Sequence, residues 1–398
     1  MSTDTTAQAP VVIVGAGLAG YNFARELRKL DAQVPITVIS RDEAGFYSKP
    51  MLSNALASKK TAATLVMKPA DKIGAEINAT VLANTTVHGI NAQARTLTLH
   101  NGDVLAYRDL VLALGADPIA LPLQGSAAGA VLSVNDLQDY ARFAEALEGS
   151  GAPVKRVAIL GAGLIGCEFA NDLIHRDIEP TVLDLADRPL SRLLPPQASE
   201  RLQSQLEAAG ARFRLGVAAT AVEHAPTGPG LLLRLNDGST IETDLVLSAI
   251  GLRPRTALAA QAGAAVAQGV QVDRFLATSV PNIHALGDCA QVDSWVLPYV
   301  LPLMAQARAL AATLAGQPTA VSYAAMPVTV KTPACPTVVC PPPAHREGQW
   351  RVEADDEGLV ARFESNTEPP QLLGFALQGK SITQRQALAA QVPPWMVD

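Results

Sequence analysis

Val11-Val-Ile-Val14 runs into Gly15-Ala-Gly17-Leu18-Ala19-Gly20, and Val157-Ala-Ile-Leu160 runs into Gly161-Ala-Gly163-Leu-Ile-Gly166. Each is a short apolar run, then GxGxxG, then a helical pattern. A single GxGxxG is a weak signal, because glycine-rich turns between strand and helix are common. The same fingerprint written twice in the same context is a strong one. Its first glycine allows the turn, its second lets backbone approach a pyrophosphate, and its third lets helix pack on strand. The phosphates then sit at the positive end of the helix. Two such units imply two dinucleotides.

Reading outward, the duplication continues. Leu97-Thr-Leu-His, the turn Asn101-Gly102 and a return strand precede Asp109-Leu-Val-Leu-Ala-Leu-Gly115. Leu231-Leu-Leu-Arg-Leu, the turn Asn236-Asp-Gly238 and Ser-Thr-Ile precede Asp244-Leu-Val-Leu-Ser-Ala-Ile-Gly251. Asn-Gly and Asp-Gly supply the positive φ angles of tight hairpins. The fold class is therefore α/β, with two Rossmann-like dinucleotide-binding domains and a small C-terminal α/β domain. The strand after each helix should end in a carboxylate for the adenosine ribose. Asp184 meets this in the second unit, 18 residues past Gly166, and favours NAD over NADP, although Arg188 lies nearby. In the first unit the strand ends at Ser40, followed by Arg41 and Asp42. Ser40 is a ribose candidate and Arg41 a candidate for the adenosine side, with ordinary surface roles open to both.

With 398 residues, 48% of them hydrophobic, the chain can build two or three cores. A formal charge of −6 argues against nucleic acid as a partner. The polar start MSTDTTAQAP lacks a basic n-region, so a cytoplasmic location is expected. The apolar stretch 296–316 is broken by Pro298, Pro302, Gln306 and Arg308, which reads as a buried helix and argues against stable membrane association. Cys167, Cys289, Cys335 and Cys340 show no metal-ligand spacing. Cys335 and Cys340 flank an extended Pro-Thr-Val-Val segment, where residues five apart face opposite ways, and so read as separate thiols.

The two fingerprints, together with Tyr47-Ser-Lys49-Pro50-Met-Leu-Ser53, Gly251-Leu-Arg253-Pro254 and Thr278-Ser-Val-Pro-Asn-Ile-His-Ala-Leu-Gly287-Asp288-Cys-Ala, resemble the FAD-dependent pyridine-nucleotide-disulfide oxidoreductases over nearly the whole chain. The likeness is to the branch of ferredoxin, rubredoxin and flavorubredoxin reductases. Tyr47–Ser53 and Val328-Thr-Val-Lys331-Thr-Pro333-Ala-Cys-Pro look most like the rubredoxin reductases. The resemblance implies FAD on the first fingerprint and NADH on the second. It implies that Asp288 accepts a hydrogen bond from the ribityl chain, that Lys49 and Pro50 lie against the flavin, and that Glu168, in the first helical turn, stands beside nicotinamide and flavin. Val87, Gly115, Gly251, Arg253, Gly287, the backbone of Val300 and Lys331 complete the expected cofactor contacts. A helix from Leu303 to Leu314 would point its N-terminus at the flavin. Related ferredoxin reductases carry arginine where Lys49 stands and lysine where Asn54 stands, which takes from this segment the lysine expected to pair with Glu168.

Disulfide-reducing relatives carry a cysteine pair where this chain reads Phe46-Tyr-Ser-Lys-Pro-Met-Leu-Ser, so electrons should leave directly from the flavin to an external one-electron carrier. Rubredoxin is the expected carrier, docking near Lys49 and Lys331 with Lys59, Lys60 and Lys68 extending a basic patch. Ferredoxin or flavorubredoxin reduction, and a slow nucleotide-sensing role, are the alternatives. The expected domains are 1–116 with 246–317 for FAD, 117–245 for NAD, and 318–398.

Overall fold

The β-branched run Val11–Val14, buried but for its half-buried last residue, forms the middle strand of a five-stranded parallel sheet in a computed structural model that describes residues 9–149, 153–226, 228–343 and 346–396. The sheet order is Ile283–Ala285, Asp109–Leu112, Val11–Val14, Ile36–Ile39 and Thr80–Leu82. Such strands are buried on both faces, which is why they read as continuous apolar runs instead of alternating. Helix Leu18–Leu30 covers this sheet and packs against helix Val300–Leu314.

The second fingerprint repeats the plan. Its parallel sheet runs Arg212–Leu215, Glu179–Asp184, Arg156–Leu160, Leu245–Ser248 and Leu132–Ser133. The expected hairpins form the two small antiparallel sheets, with φ of +88° at Gly102 and +82° at Gly238. Strand Leu245–Ser248 pairs wholly with Arg156–Leu160 and Leu132–Ser133, so the boundary expected at 245/246 falls inside the second sheet and needs correction. A closing strand beside the first strand of its unit cannot be divided between domains. The chain crosses between units where Ala116–Pro118 and Leu252–Pro254 run side by side, antiparallel.

Beyond helix Val300–Leu314, an antiparallel sheet of order Val328–Val330, Thr337–Cys340, Leu372–Gly379, Gly358–Ser365 and Gly348–Ala354 rests on helix Pro196–Ala208 of the second unit. Gln378 donates to Ala198 O and Arg201 to Asp355 O across that contact. A boundary at 318 is also too early, because Val321, Tyr323 and Met326 are buried in the first unit's core. The long helix starts at Val300, three residues before the expected Leu303. Pro302 does not prevent this, since the first turn of a helix needs no amide donor. Among the described residues no helix is long and apolar enough to cross a membrane.

Candidate functional site

The two fingerprints build the same cradle. Gly15 and Gly161 turn the chain with φ of +122° and +107°. A Cβ on Gly20 would lie 2.0 Å from Gly15 O, and one on Gly166 1.9 Å from Gly161 O, so only glycine lets each helix close on its strand. At Gly17 and Gly163 a Cβ would meet nothing within 4 Å, which leaves the helix mouth open. Neither N-cap has a side-chain hydrogen bond, and neither first turn contains an acidic residue. The leading amides and the positive helix end are thus free of competing anions. These features fit a pyrophosphate at each site.

The acids at the strand ends differ. Asp184 accepts from Ala162 N at 2.6 Å and Ala186 N at 2.8 Å, which fixes the carboxylate against the fingerprint loop. In the first unit the Ser40 hydroxyl donates to Asp42 at 2.6 Å, and the same Asp42 oxygen accepts from Ala44 N. Arg41 is exposed.

Several expected contacts of the first site do converge. The Lys49 ammonium is 3.9 Å from Asp288, and Lys49 opens a short 3-10 helix, Lys49–Asn54, with Pro50 in its first turn. Burial pulls the Lys49 ammonium below the usual lysine range, Arg255 adds to that, and Asp288 opposes it. Gly287 has φ +76°, and a Cβ there would stand 2.7 Å from Ala19 of the fingerprint. Arg255, not singled out in the sequence, donates to Leu114 O and Asp117 beside Gly115. Gln306 of the long helix accepts from Gly287 N at 2.7 Å and donates to Tyr323 OH at 2.8 Å. Gln306 reads in the sequence only as an interruption of an apolar run. Val87 begins a strand of the small antiparallel sheet, Val300 is 41% exposed at the helix start, and Arg253 is exposed on the crossing strand.

The largest departure from expectation lies in helix Leu164–Ile174. Glu168 is its fifth residue, past the first turn, and is 2% exposed. Burying a carboxylate is costly unless it is paired and hydrogen-bonded. Here Ser53 donates at 2.5 Å, Lys331 N donates at 3.0 Å, and the Lys331 ammonium forms an ion pair with it. Glu168 therefore has a lysine partner after all, supplied by the C-terminal region in place of residue 54. On the same helix Asn171 accepts from Ala334 N, and Asp172 accepts from Leu56 N and Ala57 N. Burial pushes the Asp172 carboxyl above the usual carboxylate range, against the pull of those two amides. One helix thus holds the 53–57 segment, the 331–334 segment and the second cradle together.

Three lysines of the expected docking patch stand in ion pairs. Lys331 is engaged with Glu168, Lys49 with Asp288, and Lys68 with Glu76. Lys59 and Lys60 are exposed. All four cysteines are free and buried, and burial pushes Cys289 and Cys340 up to about 11.

Comparison with known proteins bears on this geometry. Residues 9–313 match the model of the pyridine nucleotide-disulphide oxidoreductases, and residues 320–392 that of a rubredoxin binding C-terminal domain. The chain is similar to a rubredoxin-NAD(+) reductase of Alcanivorax borkumensis, 49% identical over 387 residues that cover 97% of this chain and 99% of that one. It is 43% identical to the rubredoxin-NAD(+) reductase of Acinetobacter baylyi, over 96% of this chain and 98% of that one. Among solved structures it is similar to a ferredoxin reductase from Rhodopseudomonas palustris, at 27% identity and a TM-score of 0.86, covering 97% of this chain and 95% of the other.

Proposed function

This chain belongs to the pyridine nucleotide-disulphide oxidoreductase family, and from that footing we propose that it is an FAD-dependent NADH:rubredoxin oxidoreductase. One observation carries the reading: two dinucleotide cradles stand in the same chain as a C-terminal sheet that matches a rubredoxin-binding domain. FAD, when bound, supplies the chemistry that takes a hydride from NADH and passes electrons on singly.

The protein's own groups bind and orient. Gly15, Gly17, Leu18, Ala19 and Gly20 receive the FAD pyrophosphate, with Ser40, Arg41, Val87, Gly115, Gly287 and Asp288 along the rest of the cofactor. Lys49 and Pro50 line its redox end, where a cation favours added negative charge. Gly161, Gly163 and Gly166 receive the NADH pyrophosphate, Asp184 its ribose, and Gly251 and Arg253 the crossing beside it. Glu168 and Lys331 hold the nicotinamide side closed by their mutual pairing, and Val300 presents backbone at the mouth of the long helix. The domains are proposed as 1–116 with 250–326 for FAD, 117–249 for NAD and 327–392 for the carrier. The cytoplasm is the proposed compartment.

Stopped-flow mixing of the NADH-reduced protein with rubredoxin, ferredoxin and flavorubredoxin tests this. Rubredoxin should be reduced fastest, and faster reduction of either other carrier would refute the partner. NADH should outperform NADPH in kcat/KM. Asp184→Ala should lower the NADH value about tenfold to a hundredfold, the size of a lost hydrogen bond to a charged group, and narrow its lead over NADPH.

A further inference from the structure

The Gly287–Asp288 turn is held from behind by a relay of buried groups. Gly287 has a left-handed backbone, and its amide is bonded to the Oε1 of Gln306, which is 2% exposed. The Nε2 of Gln306 is bonded to the hydroxyl of Tyr323, which is 1% exposed. Tyr323 lies beyond the long helix and is tied by two backbone hydrogen bonds to Trp395, at 3.1 Å and 2.6 Å. Trp395 packs against Trp295 at a tilt of 44° with ring centroids 5.2 Å apart, and Arg274 bonds the carbonyls of Val321 and Met396.

A buried primary amide has two orientations, and its neighbours decide between them. Turned over, Gln306 would set its NH2 group against the Gly287 amide, donor against donor. In the observed orientation both ends are satisfied, and the Tyr323 hydroxyl is the group that receives the Nε2 end. The relay therefore has a direction, from the 395 segment through Tyr323 and Gln306 to the turn.

We propose that Gln306 and Tyr323 are positioning residues for the Gly287–Asp288 turn, and that the segment at Trp395 acts through Tyr323 as a strap holding that turn ready for the flavin's ribityl chain. The proposal rests on the assignment of Asp288 to FAD made above. It implies that residues from the far end of the sequence set how firmly the first site holds its cofactor, with no contact to the cofactor of their own.

The test compares wild type with Tyr323→Phe, Gln306→Leu and Trp395→Gly, each as purified, by hydrogen exchange and by the rate of FAD release. Tyr323→Phe removes one oxygen and keeps the ring. It should speed exchange of the Gly287 amide about tenfold, as expected for one lost buried hydrogen bond, and speed FAD release by a similar factor. Exchange in strand Asp109–Leu112 should stay unchanged. Gln306→Leu should exceed this effect and Trp395→Gly should approach it. If Gln306→Leu does not fold, the hydroxyl deletion still decides. Equal acceleration at Gly287 and in Asp109–Leu112 would mean a merely structural role and overturn the proposal. Unchanged exchange at Gly287, or faster exchange with unchanged FAD release, would overturn it too. Absence of FAD from the wild type would instead refute the functional assignment, while the exchange comparison would still judge the relay.

Discussion

The two fingerprint units share a cradle, a hairpin and a closing strand, and they differ in the body of the helix between. Two, five and six residues past the third glycine, the first unit carries Asn22, Arg25 and Glu26, and the second carries Glu168, Asn171 and Asp172. The first set is satisfied locally or at the surface. Asn22 donates to Leu18 O, Arg25 pairs with Glu76 and lies over the Phe46 ring, and Glu26 pairs with Lys29. The second set is buried and reaches Ser53, Lys331, Ala334, Leu56 and Ala57. The glycines fix what a unit can cradle, and the helix body fixes what else the unit must hold. A duplicated module has here been turned into a binding site in one copy and a binding site plus keystone in the other.

The comparison should break evenly at the glycines. Gly20→Ala and Gly166→Ala each drive a methyl onto a backbone carbonyl at about 2 Å, where no flexible side chain can yield. Overpacking of this kind should cost about 3 kcal/mol or more. Gly20→Ala should yield protein depleted of FAD. Gly166→Ala should retain FAD and lose its reduction by NADH. Flavin absorbance of the purified variants and anaerobic NADH titration read the two outcomes, and a Gly166→Ala protein reduced as readily as wild type would break the parallel.

It should break unevenly two residues on. Glu168→Leu leaves the Lys331 ammonium beside an apolar surface, and losing one partner of a buried pair costs about 3–5 kcal/mol. Asn22→Leu removes one local hydrogen bond, worth about 1 kcal/mol. Urea unfolding followed by fluorescence should separate the two variants clearly. Adding Lys331→Met to Glu168→Leu should restore part of the loss, because an apolar pair tolerates burial better than a lone charge. Equal destabilisation at positions 22 and 168 would remove the keystone.

Much of this is legible in the sequence. Both cradles follow from glycines whose spacing is dictated by a turn, a phosphate and a helix contact, all local requirements. The hairpins follow from Asn-Gly and Asp-Gly for the same reason. The keystone is hidden because Glu168 reads as a first-turn carboxylate, and nothing local shows that Asn171 and Asp172 share a buried helical face with it. Burial of that face depends on Lys331, 163 positions away from Glu168, and no local pattern encodes such a pairing. Absence of lysine at position 54 therefore suggested no ion pair at Glu168, although the charge is supplied from elsewhere. Gln306 was hidden in a related way. One polar residue in an apolar helix shows that something must satisfy it, and the Gly287 amide and Tyr323 hydroxyl are visible only in the fold. Domain limits are not legible between motifs, because they depend on which sheet a strand joins.

The finest difference between the units lies at the aspartate that starts each closing run, Asp109 at the head of strand Asp109–Leu112 and Asp244 one residue before strand Leu245–Ser248. Asp109 is bonded by Arg108 at 2.7 Å and Asn282 at 3.4 Å, with His284 at 3.8 Å. Burial alone would raise its carboxyl, but these partners together hold it down at about 2. Asp244 accepts from Lys155 N and Arg156 N, each at 2.9 Å, and from the Arg156 guanidinium, which also lowers it against the effect of burial. The Asp109 side chain is 11% exposed and that of Asp244 28%, so solvent screens the second more. A carboxylate whose folded value is depressed stabilises the fold above its unfolded value, and that contribution is lost as pH falls through the folded value. From an ordinary carboxylate value of 3.8 down to about 2, Asp109 should contribute about 2.5 kcal/mol at pH 7, with about half of it left at pH 3. Urea unfolding of Asp109→Asn should show that loss at pH 7 and a narrowing gap from wild type between pH 4 and pH 3. Asp244→Asn, at the more exposed carboxylate, should lose less at pH 7, and its gap too should shrink as the carboxylate is protonated in acid. A gap for Asp109→Asn that stays constant down to pH 3 would mean that the charge of the buried aspartate is not what stabilises the first unit.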